Sequence, residues 1–291
     1  MMNGLLASRP VQVLRRVGLG TFSDGFIHAG NLAYLAMLAI FPFFILGAAL
    51  FDLVGGRENA EAMIDAVARA LPESVASVIG PVAEDVIYAR SGWLLWLGAG
   101  VGLWTVSSLI ETIRDILRRA YRAPPVKAFW RTRLFSAGLI LAAVVVLMLS
   151  LFAQVVIGAA QQVILAAFPQ LAELIAALGR ARIVPALGLG LSLWVLFATL
   201  TPPEHRKSRA PRWPGALFTA LWWIAVAIAL PVVLRAFFTY DLTYGSLAGS
   251  MVTLLFFWLV GLGLVIGAEL NAALALEEGT PAADKANEEK A

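Results

Sequence analysis

"GSLAGSMVTLLFFWLVGLGLVIGAELNAAL", residues 245–274, decides the fold class, because no Asp, Glu, Lys or Arg occurs between positions 242 and 268. A helix rises about 1.5 Å per residue and a bilayer's hydrocarbon core is about 30 Å thick, so roughly 20 apolar residues suffice to span it. The composition of the chain agrees. Of 291 residues 60% are hydrophobic and 14% charged, against about 25% charged in an ordinary soluble domain. An all-α integral membrane protein is predicted.

Six stretches are long and apolar enough to span, near residues 29–54, 92–110, 134–168, 183–201, 214–237 and 245–276. They define a transmembrane domain over 29–276, preceded by a cytoplasmic or interfacial segment, 1–28, and followed by a polar tail, 277–291, that has no apolar face and is expected to be disordered. The third stretch either runs on to Pro169 or breaks near Gln161 and Gln162. No cleaved signal is expected, since the first arginines follow the short apolar patch instead of preceding it.

Charge sets the orientation. Sixteen Lys and Arg fall before the first span, between spans two and three, between four and five, and after six; six fall in the alternate connections. Basic residues accumulate on the cytoplasmic side, so both termini are expected there, with anionic lipid headgroups as partners of the basic loops. The outer loop 55–91 carries two apolar stripes at helical spacing, Met63, Ile64, Val67 and Leu71, then Val75, Val78, Ile79, Val82 and Val86. They read as short amphipathic helices that lie on the interface or cap the bundle.

Small residues four apart let helices in lipid approach closely. Gly98 with Gly102, Gly245 with Gly249, and Gly263 with Gly267 have this spacing. Internal packing is the preferred reading and a homo-oligomer interface the other. Pro42 and Pro231 sit inside spans, where each removes a backbone donor and bends its helix.

Ionisable groups near membrane depth are functional hypotheses by default. Glu111 and Arg114 are three residues apart and share a helix face. Glu269 stands 24 rises after Gly245, about 36 Å at helical pitch, which carries it to the cytoplasmic rim within reach of Arg114 or Arg118. A structural ion pair is the preferred reading there. Asn271, Asn31, Tyr34 and Tyr244 complete the candidate polar positions.

The C-terminal half resembles the YihY/virulence factor BrkB family of bacterial inner-membrane proteins, in Pro214 and Gly215, in Tyr244 to Ser246, and in the Gly-Ala-Glu-Leu-Asn close at Gly267 to Asn271. Ala33, Tyr34, Phe41 and Pro42 resemble the family's first helix. The resemblance implies a six-helix bacterial inner-membrane protein of unsettled activity, some of whose relatives carry the label ribonuclease BN.

The residues themselves argue against nuclease chemistry. His28 and His205 are isolated, and the acidic residues of the first loop face away from cytoplasmic RNA. With no cysteine and no Gly-rich phosphate loop, neither a thiolate site nor nucleotide-driven action is indicated. No cofactor, metal or nucleic-acid partner is expected. A transporter or flippase-like protein for a small or amphiphilic molecule is the leading expectation, a non-catalytic scaffold or assembly factor the alternative, and a ribonuclease the least supported.

Overall fold

The computed structural model describes residues 9–54, 68, 71–89, 93–124, 130–143, 183–206, 210–237 and 247–288, and the regular elements among them are all helical. Helix α1 (Arg9–Gly20) passes through a π-helical turn, Thr21–Gly25, into α2 (Phe26–Val54). There follow α3 (Glu73–Ala89), α4 (Trp93–Ala120), α5 (described over residues 130–143), α6 (Ile183–Leu200), α7 (Trp213–Phe237) and α8 (Ala248–Glu288). Five of the expected spans coincide with α2, α4, α6, α7 and α8; most of the third, with Gln161, Gln162 and Pro169, lies outside the described residues.

Among the described residues, Trp213–Leu234 and Ala248–Leu276 are long and apolar enough to cross a membrane, and Phe26–Ile40 and Ala186–Leu200 are shorter apolar helices. A soluble protein's core helix can be equally apolar, but it is mostly buried. In α7 only 28% of the most apolar window is buried, and Leu217, Leu221, Ile228 and Val232 face outward. So much uncovered hydrocarbon on one element fits lipid as its solvent.

Helix begins at Arg9, within the segment expected to be cytoplasmic or interfacial, and is continuous with α2. Helix α8 extends to Glu288, through Gly279 and Pro281 and into the stretch expected to be disordered.

Helix α8 lies against α1, α2, α3, α4 and α7. Its first half, with Val252 and Phe256, joins a core of Phe44 and Ile45 from α2, Val75 and Ile79 from α3, and Leu230 and Leu234 from α7. Its second half, with Leu264, Val265 and Ala268, joins Leu32 of α2, Ile113 and Leu117 of α4, Phe197 of α6 and Ala216 of α7. Helix α3 therefore sinks its apolar stripe into the bundle, Val75 being fully buried. The stripe around Met63 to Val67, and the side chains of Val82 and Val86, lie outside the described residues.

The buried residues Ser107, Ser136, Thr201, Thr219, Thr253 and Asn271 all have hydrogen-bond partners for their side chains, as a low-dielectric interior favours, whereas the buried hydroxyls of Thr21 and Ser74 have none. Backbone approach is closest where α7 crosses α8. A Cβ at Gly267 would overlap Thr219 Oγ1, and one at Gly215 would overlap the Gly267 carbonyl. Next along the crossing, Trp222 fills the space over Gly263 and donates from its indole to the Leu259 carbonyl, 2.8 Å, while Trp223 donates to Val260, 2.9 Å.

Helix ends follow local chemistry. Pro202 and Pro203 stop α6. At the end of α4 the Ala123 N–H bonds the Arg118 carbonyl and the Arg122 N–H that of Arg119, with Arg122 at φ 54. This is the left-handed cap that glycine normally occupies. Arg122→Gly should raise thermal stability in detergent by roughly 0.5–1 kcal/mol; a lower melting temperature would refute the cap assignment. Gly267→Ala should cost about 1–3 kcal/mol by overpacking, read as a melting temperature several degrees lower. Gly100→Ala, whose Cβ meets nothing within 4 Å, should leave it unchanged or raised.

Candidate functional site: an arginine-lined cleft

The end of α4, the start of α5 and the turn after α6 enclose a cleft of about 390 Å³ lined by Arg114, Arg118, Arg131, Thr132, Phe135, Thr199, Leu200, Thr201, Pro202, Pro203 and Arg206. Arg114 is the most constrained. Its Nη1 donates to both carboxylate oxygens of Glu111, at 2.9 and 3.0 Å, as the three-residue spacing predicts. Its Nη2 donates to Ser136 Oγ at 3.1 Å, and Ser136 donates back to Glu111 at 2.7 Å. The guanidinium also lies 5.5 Å from the centre of the Phe135 ring.

Arg118 donates through Nε to the Pro124 carbonyl at 3.0 Å and stands 3.9 Å from Glu204. Arg206 caps the end of α6, donating to the carbonyls of Thr201, 3.3 Å, and Thr199, 2.5 Å. Arg212 ties the same turn through the carbonyls of His205 and Arg206, at 3.2 and 2.7 Å. Behind the turn Tyr121 is buried, its ring 5.3 Å from that of His205. Burial raises the phenol above its usual pKa of 10.0, and a hydrogen bond with Thr201 and the charge of Arg212 partly oppose the rise.

Helix α5 meets α4 in an unexpected register. Trp130 packs edge-on to Trp104 with ring centres 6.3 Å apart, Arg133 bonds Ser108 and stacks 4.0 Å over the Trp104 ring, and Ser136 bonds Glu111. These contacts advance along α4 and α5 in the same sense. A hairpin of two consecutive antiparallel spans would instead pair Trp130 with the last turn of α4.

Glu269 sits elsewhere. Its carboxylate packs on the backbone at Gly20, where a Cβ would stand 2.5–2.9 Å from the carboxylate atoms. Arg114 and Arg118 are held instead by Glu111, Ser136, the Pro124 carbonyl and Glu204. Asn271, two residues on, accepts from the Gly215 N–H at 2.8 Å and donates to the Arg212 carbonyl at 3.0 Å, capping α7 from α8.

The other candidate positions are dispersed. Asn31 and Tyr34 are exposed on α2, Tyr34 by 59%. Pro42 packs on Gly102, where a Cβ would lie 2.7 Å from the Pro42 carbonyl, and Gly249 faces Val78 of α3. Gly98 is buried and Pro231 half-buried. Tyr244 and Gly245 lie outside the described residues. Arg131 and Arg206 are two of the sixteen basic residues that the sequence assigns to the cytoplasmic side; the Thr-Pro-Pro at Thr201 to Pro203, which halts α6 and turns Arg206 back onto it, is the signal that marks the cleft. Among the described residues no three His, Cys, Asp or Glu gather as a metal set would.

Fold and site together define a helical membrane protein. More particularly, the chain belongs to the virulence factor BrkB family, which it matches over residues 21–291. It is 27% identical over 266 residues to a ribonuclease-like protein, YfkH, of Bacillus subtilis (strain 168), covering 90% of this chain and 94% of that one. It is 23% identical over 273 residues to the UPF0761 membrane protein PSHAa0171 of Pseudoalteromonas translucida (strain TAC 125), covering 88% and 83%. No solved structure matches it. The two motifs carrying the resemblance are in contact, since the Gly215 N–H of the first is bound by Asn271 of the second.

If the carboxylate of Glu269 sets the fit at Gly20, the two substitutions must couple. Gly20→Ala should destabilise the otherwise unchanged protein by about 1–2 kcal/mol through overpacking. With Glu269→Ala already present, Gly20→Ala should be neutral or stabilising by up to about 1 kcal/mol, since alanine favours helix. Equal effects in the two backgrounds, measured by thermal melts in detergent, would remove the contact.

Proposed function

We propose that this chain is a transporter or flippase-like protein of the bacterial inner membrane that moves a small or amphiphilic molecule. Six spans with both termini in the cytoplasm belong to the same proposal, which the uneven distribution of Lys and Arg along the chain supports and against which the same-sense packing of α4 and α5 stands. That orientation puts the cleft on the cytoplasmic side, between the loops after spans two and four.

The observation that carries the proposal is the mixed lining of the cleft. Guanidinium groups of Arg114, Arg118, Arg131 and Arg206 share it with the apolar surfaces of Phe135, Leu200, Pro202 and Pro203. A headgroup and an apolar body need those two linings side by side. The scaffold reading draws on a different observation, the close packing of α7 on α8 at Gly215, Gly263 and Gly267, which leaves no passage there. Nuclease action is not proposed; His28 belongs to α2 and His205 lies beside Tyr121, in separate parts of the molecule.

Reconstitution tests the proposal. Proteoliposomes containing phosphatidic acid and a trace of its fluorescent analogue should expose the inner-leaflet probe to a membrane-impermeant quencher several times faster than protein-free vesicles. Arg118→Gln should slow that exposure. Folded protein that gives the protein-free rate would sink the transport reading and leave the scaffold.

A further inference from the structure

We infer that the arginine-lined cleft is a binding site for the phosphate group of an anionic amphiphile, with Arg114 as its fixed contact and Arg131 as its uncommitted one. The inference rests on reading this cleft as the working site, and names what it holds.

Charge comes first. Four guanidinium groups line the cleft and two carboxylates, Glu111 and Glu204, pair with them. Among the described residues two positive charges stay uncompensated in one concavity, where like charges repel and low-dielectric walls strengthen the repulsion. A purely structural account covers Arg114 and Arg118, each held by its own acceptors. It leaves out Arg131, which is exposed at the cleft and has no polar partner among the described residues. A phosphate monoester carries close to two negative charges near neutral pH, which matches the excess.

Geometry narrows the class further. The side chains of Arg114 and Arg118 are only 11% and 13% exposed, and burying a guanidinium costs several kcal/mol unless its donors are met. Each guanidinium has five N–H donors. Glu111 and Ser136 engage only Nη1 and Nη2 of Arg114, and Pro124 only Nε of Arg118. The arginines that line the cleft stand on three elements, α4, α5 and the turn after α6, and an oxyanion with several acceptor oxygens can take donors from more than one of them, where a flat carboxylate is satisfied by one fork. Glu111 and Ser136 act as positioning residues, fixing the plane of the Arg114 fork before a ligand arrives. The ring of Phe135 gives the cleft an apolar wall on α5, which suits an acyl chain attached to the phosphate.

The test uses the full chain in a non-ionic maltoside detergent at about 0.1 M salt, where the Debye length is about 10 Å and diffuse surface attraction is screened. Titration calorimetry with dihexanoyl phosphatidic acid should give saturable binding. Arg131→Gln, a change at an exposed side chain that leaves folding intact, should weaken it about tenfold, the scale of one charge-assisted hydrogen bond. Arg119→Gln alters an exposed arginine on the same helix that pairs with Asp115 outside the cleft, and should change it less than about twofold.

Inorganic phosphate is the second probe. Binding of phosphate with the same dependence on Arg131 supports the site and identifies the headgroup as sufficient; binding of the lipid alone supports it and makes the acyl chain part of the ligand. Non-saturable uptake, or equal weakening by Arg119→Gln, overturns the site. Saturable binding without lipid movement in vesicles keeps the site and removes the transport reading. Lipid movement without saturable binding removes the site alone.

Discussion

The amide of Asn271 is the interaction on which the rest of the described structure depends. Helix α7 begins with Trp213, Pro214 and Gly215, and its first turn presents backbone groups with no partner inside the helix. Asn271 supplies one from the neighbouring helix, accepting from Gly215 and donating to Arg212. Such a cap requires the two backbones to be nearly touching, which is why glycine stands at both 215 and 267.

From that cap a line of hydrogen bonds runs to the cleft. Arg212, whose carbonyl Asn271 holds, reaches back to the carbonyls of His205 and Arg206, and Arg206 in turn holds the carbonyls that end α6. The wall formed by Thr199 to Arg206 is thus anchored to α8 through Arg212. On the opposite wall Glu111, Arg114 and Ser136 close a triangle of bonds between α4 and α5. Two rigid walls of independent origin face each other, a requirement for any site that must hold an anion in a defined pose.

Much of the helical content was legible in the sequence because apolar length is a one-dimensional property. The ends of α6 and α7 fall within a residue of the expected spans, since Pro202 and Pro214 mark them locally. The Glu111–Arg114 pair was legible for the same reason: a helix repeat decides it without a third element. Which neighbour a face meets is not local. Glu269 was expected beside an arginine of the basic second loop, yet it packs on Gly20, because α1 is carried across α8 by its unbroken junction with α2. Likewise Arg131 and Arg133 read as loop charges until the register of α5 on α4 brings one to the cleft and the other onto Trp104.

That junction has a consequence for the chain's economy of surfaces. A π turn holds more residues than an α turn of equal length, so it rotates everything before it about the helix axis by on the order of 100° per extra residue. Thr21–Gly25 is such a turn within an otherwise continuous rod from Arg9 to Val54. Among the described residues the rod packs on α8 upstream of it, and on α3, α4 and α8 downstream of it. One rod thereby acts as two differently phased gears, and deleting a single residue at 21–25 would swing Arg15 and Arg16 to another side of the axis without altering any residue that contacts the cleft.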